Sequence, residues 1–107
     1  MADTWKVLYQ GQLGNSVATL ATVGGGKTWI VSRVKAVNTD SVARTMGLYI
    51  GGTTASHAVT PTAISIPAGG GWEDDSPGWT LEAAQTIAGG ASAATVVTVT
   101  VFGDEVS

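Results

Sequence analysis

The chain has 107 residues, a net charge of −3 from 5 Lys+Arg and 8 Asp+Glu, and no cysteine. That length fits a single domain spanning residues 1–107, with a folded surface of about 5,500 Å². The missing cysteines exclude a disulfide scaffold, a thiolate metal site and a cysteine nucleophile, and five scattered cations do not build the basic face that duplex DNA requires.

Nearly a third of the residues are Val, Ile or Thr. Branching at Cβ suits a pleated strand better than a helix, so the composition is all-β. Apolar runs recur about every ten residues between turn residues. Thr4 to Leu13 is the first predicted strand, with Met1 to Lys6 able to extend from the domain as an arm. Gly14-Asn15-Ser16 turns the chain into Val17 to Val23. Gly24-Gly25-Gly26-Lys27 leads, as a glycine-rich hairpin, into Thr28 to Asn38, the longest strand candidate. Thr39-Asp40-Ser41 turns into Val42 to Ile50, where alternation puts Met46, Leu48 and Ile50 on one face. A long polar connection, 51–62, carries His57 and Pro61 and precedes a short strand, Ala63 to Ile66.

Trp72 to Trp79 reads as an irregular acidic segment broken by Pro77-Gly78. Thr80 to Ala88 fits a strand or one helical turn, and Gly89 to Ala94 reads as a small-residue loop. Thr95 to Phe102 alternates cleanly. Val97, Val99 and Val101 face one way, and Val96, Thr98, Thr100 and Phe102 the other. About eight short strands and no significant helix predict one antiparallel β-sandwich, jelly-roll-like in layout.

Catalytic and metal chemistry find little support. Gly24 to Thr28 lacks the earlier glycine of a phosphate loop and leads into a strand, not a helix. His57 is the single histidine, and no Gly-x-Ser-x-Gly elbow accompanies it. Glu73-Asp74-Asp75 is the densest charge cluster, but adjacent strand residues point to opposite faces, so a shared metal is not expected. Trp72 and Trp79 flank that cluster, and Trp5 lies near the amino end. Tryptophans beside polar segments anchor interfaces, so Trp5, Trp72, Glu73, Asp74, Asp75 and Trp79 are the partner-contact candidates. Trp29 is assigned to packing. No catalytic, cofactor or metal residue is expected.

No run of about 20 apolar residues is present to span a membrane, and Met1 to Gln10 lacks the pattern of a signal peptide. Synthesis in the cytoplasm is expected. Only 12% of residues are charged, against about 25% in typical soluble domains, so much of the surface should be covered in use.

The order of several segments has a parallel elsewhere. Leu8-Tyr9-Gln10-Gly11-Gln12-Leu13, Gly26 to Thr28, Val37-Asn38-Thr39 and Leu48-Tyr49-Ile50-Gly51-Gly52 are followed by Ile66-Pro67-Ala68-Gly69-Gly70 and Leu81 to Ile87. From about Leu8 to Val101 this resembles small virion proteins of tailed bacteriophages, including β-sandwich proteins that decorate the outside of the head. Ala84 stands where that pattern has a turn glycine, and Gly25 where it has alanine after proline. The resemblance implies a non-enzymatic capsid decoration (cement) protein on the head surface, without cofactor. Its expected partners are the major capsid protein and itself, as a homotrimer joined through its charge-poor outer face, with no nucleic acid or membrane. A tail or fibre module that binds a receptor or carbohydrate is the alternative.

Overall fold

The structure is a computed structural model that describes residues 3–61, 63–75 and 77–107. Among the described residues nine strands form two antiparallel sheets. They are β1 (Asp3–Gln12), β2 (Ala18–Thr22), β3 (Thr28–Asn38), β4 (Arg44–Ile50), β5 (Ile64–Ile66), β6 (Gly71–Asp74), β7 (Trp79–Leu81), β8 (Thr86–Ala91) and β9 (Val97–Val106). The five-stranded sheet runs β1-β9-β3-β6, with β7 also on β3; the four-stranded sheet runs β2-β8-β4-β5. Because β6 and β7 share one ladder position beside β3, there are eight positions, and the order is that of a jelly roll. The accessible surface of 5166 Å² is close to the size expected from mass alone.

The core lies between the sheets. Val97, Val99 and Val101 of β9 face Leu48 of β4 and Ile87 of β8, all fully buried, each worth about 1.5–3 kcal/mol in apolar burial. On β3 the buried set changes phase, from Trp29 and Val31 to Val34, Ala36 and Asn38. A bulge between Val31 and Arg33 causes this, since one extra residue reverses every side chain beyond it. A second bulge lies between Val7 and Tyr9 of β1.

Several expectations are corrected. Trp72 to Trp79 is not an irregular loop, because β6 and β7 flank a short break that falls opposite the bulge of β3; Ser76 lies outside the described residues. Gly89 to Ala91 belong to β8, not to a loop. Their missing side chains let another segment lie on the sheet: a Cβ on Gly90 would fall 2.8 Å from Ser16 C and 2.9 Å from Val17 N. The Gly24 to Lys27 turn is not a hairpin, since β2 and β3 belong to different sheets. Asp3 to Lys6 are paired with β9 as part of β1 and are no free arm; Met1 and Ala2 lie outside the described residues. The polar connection holds one 3-10 turn, Ala55–His57, and its end at Thr62 is also outside the description. Among the described residues no helix is long and apolar enough to cross a membrane.

Candidate functional site

Strand pairing places side chains of the five-stranded sheet in rows across its outer face. One row runs Trp5, Asp104, Ile30, Thr80, and the next runs Val7, Phe102, Arg33. Gln10, Thr100, Lys35 and Glu73 follow, with the Gln10 amide donating to Thr100 Oγ1 at 3.0 Å. Trp5 is 68% exposed, Val7 47% and Ile30 43%. These three are neighbours on one face, whereas the other exposed large apolar residues, Val17, Val42 and Val59, sit singly in loops. Towards the other end, Thr98, Thr100, Phe102, Val7 and Val37 line an open depression of about 410 Å³. The expected outward direction of Thr98, Thr100 and Phe102 is therefore observed.

The remaining tryptophans have other surroundings. Trp29 is buried at the sandwich end, and its indole N–H donates to Glu105 Oε2 at 2.8 Å. Trp72 stands opposite Ala36, and Trp79 opposite Val31. Both partners are core residues, and both tryptophans are partly buried against that core. Among the partner-contact candidates only Trp5 presents an exposed ring.

The acidic cluster divides as strand geometry demands. Glu73 and Asp75 both meet the Arg33 guanidinium, Asp75 at 3.4 Å, while Asp74 stands opposite the buried Val34. The hydrogen bond from Arg33 holds the Glu73 carboxyl below its ordinary value. Arg33 also lies over the Phe102 ring, 5.7 Å from its centre. Glu105 is lowered likewise, first by the Trp29 indole and then by Lys6, whose ammonium lies 3.2 Å away. Asp40 is lowered by the Arg44 side chain and the Ser41 amide. Among the described residues no three His, Cys, Asp or Glu side chains are grouped to hold a metal. His57 is exposed in its turn, with its ring against Gly52.

Two polar residues escape sequence reading. Asn38 is fully buried and donates to the carbonyls of Val42 at 2.9 Å and Ile66 at 3.0 Å, while its Oδ1 accepts from the Asp40 amide at 2.9 Å. It ties the end of β3 to the other sheet. Asp104 is 6% exposed, and its Oδ1 has no hydrogen-bond partner among the described residues. Its place between Trp5 and Ile30 depends on two bulges that alternation alone does not reveal.

No protein-family model matches the sequence, and no curated protein sequence matches it. Solved structures do. A protein of the disulfide-linked pili that form Bacillus endospore appendages matches over 99% of this chain and 87% of its own, at 14% identity and a TM-score of 0.52. The Drosophila NLP core, whose structure concerns pentamer formation and histone binding, matches over 95% and 100%, at 9% identity and 0.50. A coat protein of Tobacco streak virus, solved as a dimer, matches over 96% and 83%, at 10% identity and 0.48. The likeness is one of fold.

Proposed function

We propose that this chain is a non-enzymatic structural virion protein, a decoration protein that binds the outside of a tailed-phage head and reinforces joints between major capsid subunits. The observation that carries this reading is the apolar group Trp5, Val7 and Ile30, gathered on the outer face of one sheet. Clustered exposed apolar side chains mark interaction surfaces, whereas scattered ones need no explanation. A face of two strand-bound aliphatics and one tryptophan suits a broad contact. The segment resemblance to phage decoration proteins points the same way. Two solved structures of similar fold, at TM-scores of 0.52 and 0.50, come from assemblies, a pilus and a pentamer. The disulfide linkage of that pilus is not open to these cysteine-free residues.

On the particle the protein is proposed to associate as a trimer, a closed symmetry that suits a threefold joint. Heads purified without this protein, incubated with it and weighed for occupancy, test the reading. A Trp5→Ser, Val7→Ser, Ile30→Ser variant should fold and fail to bind, and undiminished occupancy overturns the assignment. Glycan-array binding without head binding would replace it by the receptor-binding module. Light scattering and the decorated particle report the trimer.

A further inference from the structure

We infer that the outer face around Asp104 is a receptor for one basic side chain, arginine or lysine, presented by the protein on which this domain docks. The inference deepens the proposed function and rests on it for the partner's identity, though not for the chemistry of the site.

Asp104 is the anomaly of the fold. Its carboxylate sits on the outward side of β9, between Trp5 on β1 and Ile30 on β3, yet it is 94% covered and its Oδ1 is unpartnered. A buried polar oxygen without a partner is strongly unfavourable, and native folds rarely retain one without reason. Other carboxylates of this sheet have partners. Glu105 has Trp29 and Lys6; Glu73 and Asp75 have Arg33.

The chain's own cations are committed or misplaced. Lys6 pairs with Glu105, Arg33 with Glu73 and Asp75, and Arg44 with Asp40. Lys35 stands two rows from Asp104, opposite Glu73, and Lys27 lies in the turn before β3, on the side of Glu105. Among the described residues no cation faces Asp104, so the docking partner supplies it.

The surroundings fit a guanidinium or an ammonium on an alkyl stem. Trp5 offers an exposed indole on one side of the carboxylate and Ile30 an exposed aliphatic surface on the other. Cations stack on indoles, and long basic side chains lay their stems along apolar surface. One row away the same sheet already shows this chemistry, with Arg33 over Phe102 and paired to carboxylates. The net charge of −3 favours the approach of a basic partner.

The test is Asp104→Asn, which keeps size and shape. In the isolated domain it should leave the melting temperature unchanged or raise it, because an unpaired carboxylate is removed. Affinity for heads lacking the protein should fall about 30-fold or more, as when one member of a buried charge pair is removed. Titration with N-acetyl-arginine amide, read by amide and indole NMR shifts, should perturb Asp104, Trp5 and Ile30 in the wild type. It should do so in neither Asp104→Asn nor with N-acetyl-glutamine amide. If the arginine probe binds but heads do not, the receptor stands and the shell reading fails. Equal binding of wild type and Asp104→Asn to heads overturns the receptor and leaves the shell reading intact. A clear loss of stability in Asp104→Asn gives the carboxylate an internal role and also overturns it. A wild-type oligomer that Asp104→Asn dissociates in sedimentation, without heads, assigns the cation to a second copy and overturns the docking partner.

Discussion

The two sheets treat their outer faces in opposite ways. On the four-stranded sheet, Tyr49 and Ala88 stand opposite each other on the outside of β4 and β8, yet both are buried. The chain itself covers part of this face, beside an open depression of about 180 Å³ lined by Ser16, Val17, Thr45, Tyr49 and Gly90. Residues 14–17 lie on Gly90, and residues 58–60 run beside β4, where the Val59 amide donates to Leu48 O at 3.1 Å and Thr60 Oγ1 accepts from the Leu48 amide at 2.9 Å. On the five-stranded sheet, Trp5, Val7 and Ile30 stay uncovered. The same 107 residues thus finish one surface and leave the other for something else. A cluster of exposed apolar groups beside an unsatisfied carboxylate has the features of an interface, and the clustering separates it from the single exposed residues Val17, Val42 and Val59.

The largest effect is expected where the two sheets are joined. Asn38→Ala strips donors from the Val42 and Ile66 carbonyls and the acceptor from the Asp40 amide. Each buried group left unpaired costs about 1–3 kcal/mol, so a total loss of about 3–5 kcal/mol is expected by urea unfolding. A loss below 1 kcal/mol would show that the sheets are held together by apolar packing alone. Gly90→Ala attacks the sealed face only. Its new methyl would meet the backbone of residues 16 and 17, and overpacking of this kind costs about 1–3 kcal/mol. Hydrogen exchange should rise in β2 and β8 and stay unchanged in β1.

The sequence made part of this contrast legible. The span of β3 follows from its β-branched run between two turns, and the inward faces of β4 and β9 from alternation, which is set by neighbours two residues apart. The sealed face was hidden, since Gly89-Gly90-Ala91 has loop composition. It becomes a strand only because tertiary packing needs a backbone without side chains. The open face was half visible. Of the four residues expected outward, Thr98, Thr100 and Phe102 are so, while Val96 packs against the core, and Val7 and Ile30 join the outer face through bulges that no local pattern marks. Trp72 and Trp79 are contact candidates by sequence because they flank acidic residues, and their partial burial against the core edge is set by pairing with β3, which that pattern does not show.

A smaller effect is expected at the turn between β7 and β8. Ala84 has φ of 71°, in the left-handed region that disfavours a side chain. The resemblance to phage virion proteins has a turn glycine at this position, and the conformation explains why. Ala84→Gly relieves the strain but gains unfolded-chain entropy, leaving a net stabilisation of about 0.5–1 kcal/mol. The turn feeds the sealed sheet, so the gain should appear as slower exchange in β8. Destabilisation by this variant would show that the turn is not strained.

The smallest effect concerns acid, and it should fall on the open sheet. Glu73 and Glu105 belong to that sheet, and both have folded pKa values below the ordinary glutamate value of 4.5, while the third lowered carboxyl, Asp40, sits in the turn between β3 and β4 on Arg44. A lowered folded pKa contributes stability that is fully present above the unfolded value and lost as pH falls through the folded one. Stability should therefore be level from neutral pH down to about 5 and decline below that, modestly because these carboxylates are solvent-accessible. The Trp29 indole is the first cause of the Glu105 shift, so Trp29→Phe should make the acid decline shallower while lowering stability at neutral pH. Protection factors, which remove the intrinsic slowing of exchange in acid, should fall from pH 5 to pH 3 in β1, β6 and β9 before they do in β2, β4 and β8. Both sheets opening together, or the four-stranded sheet first, would mean that the carboxylates do not distinguish the two faces.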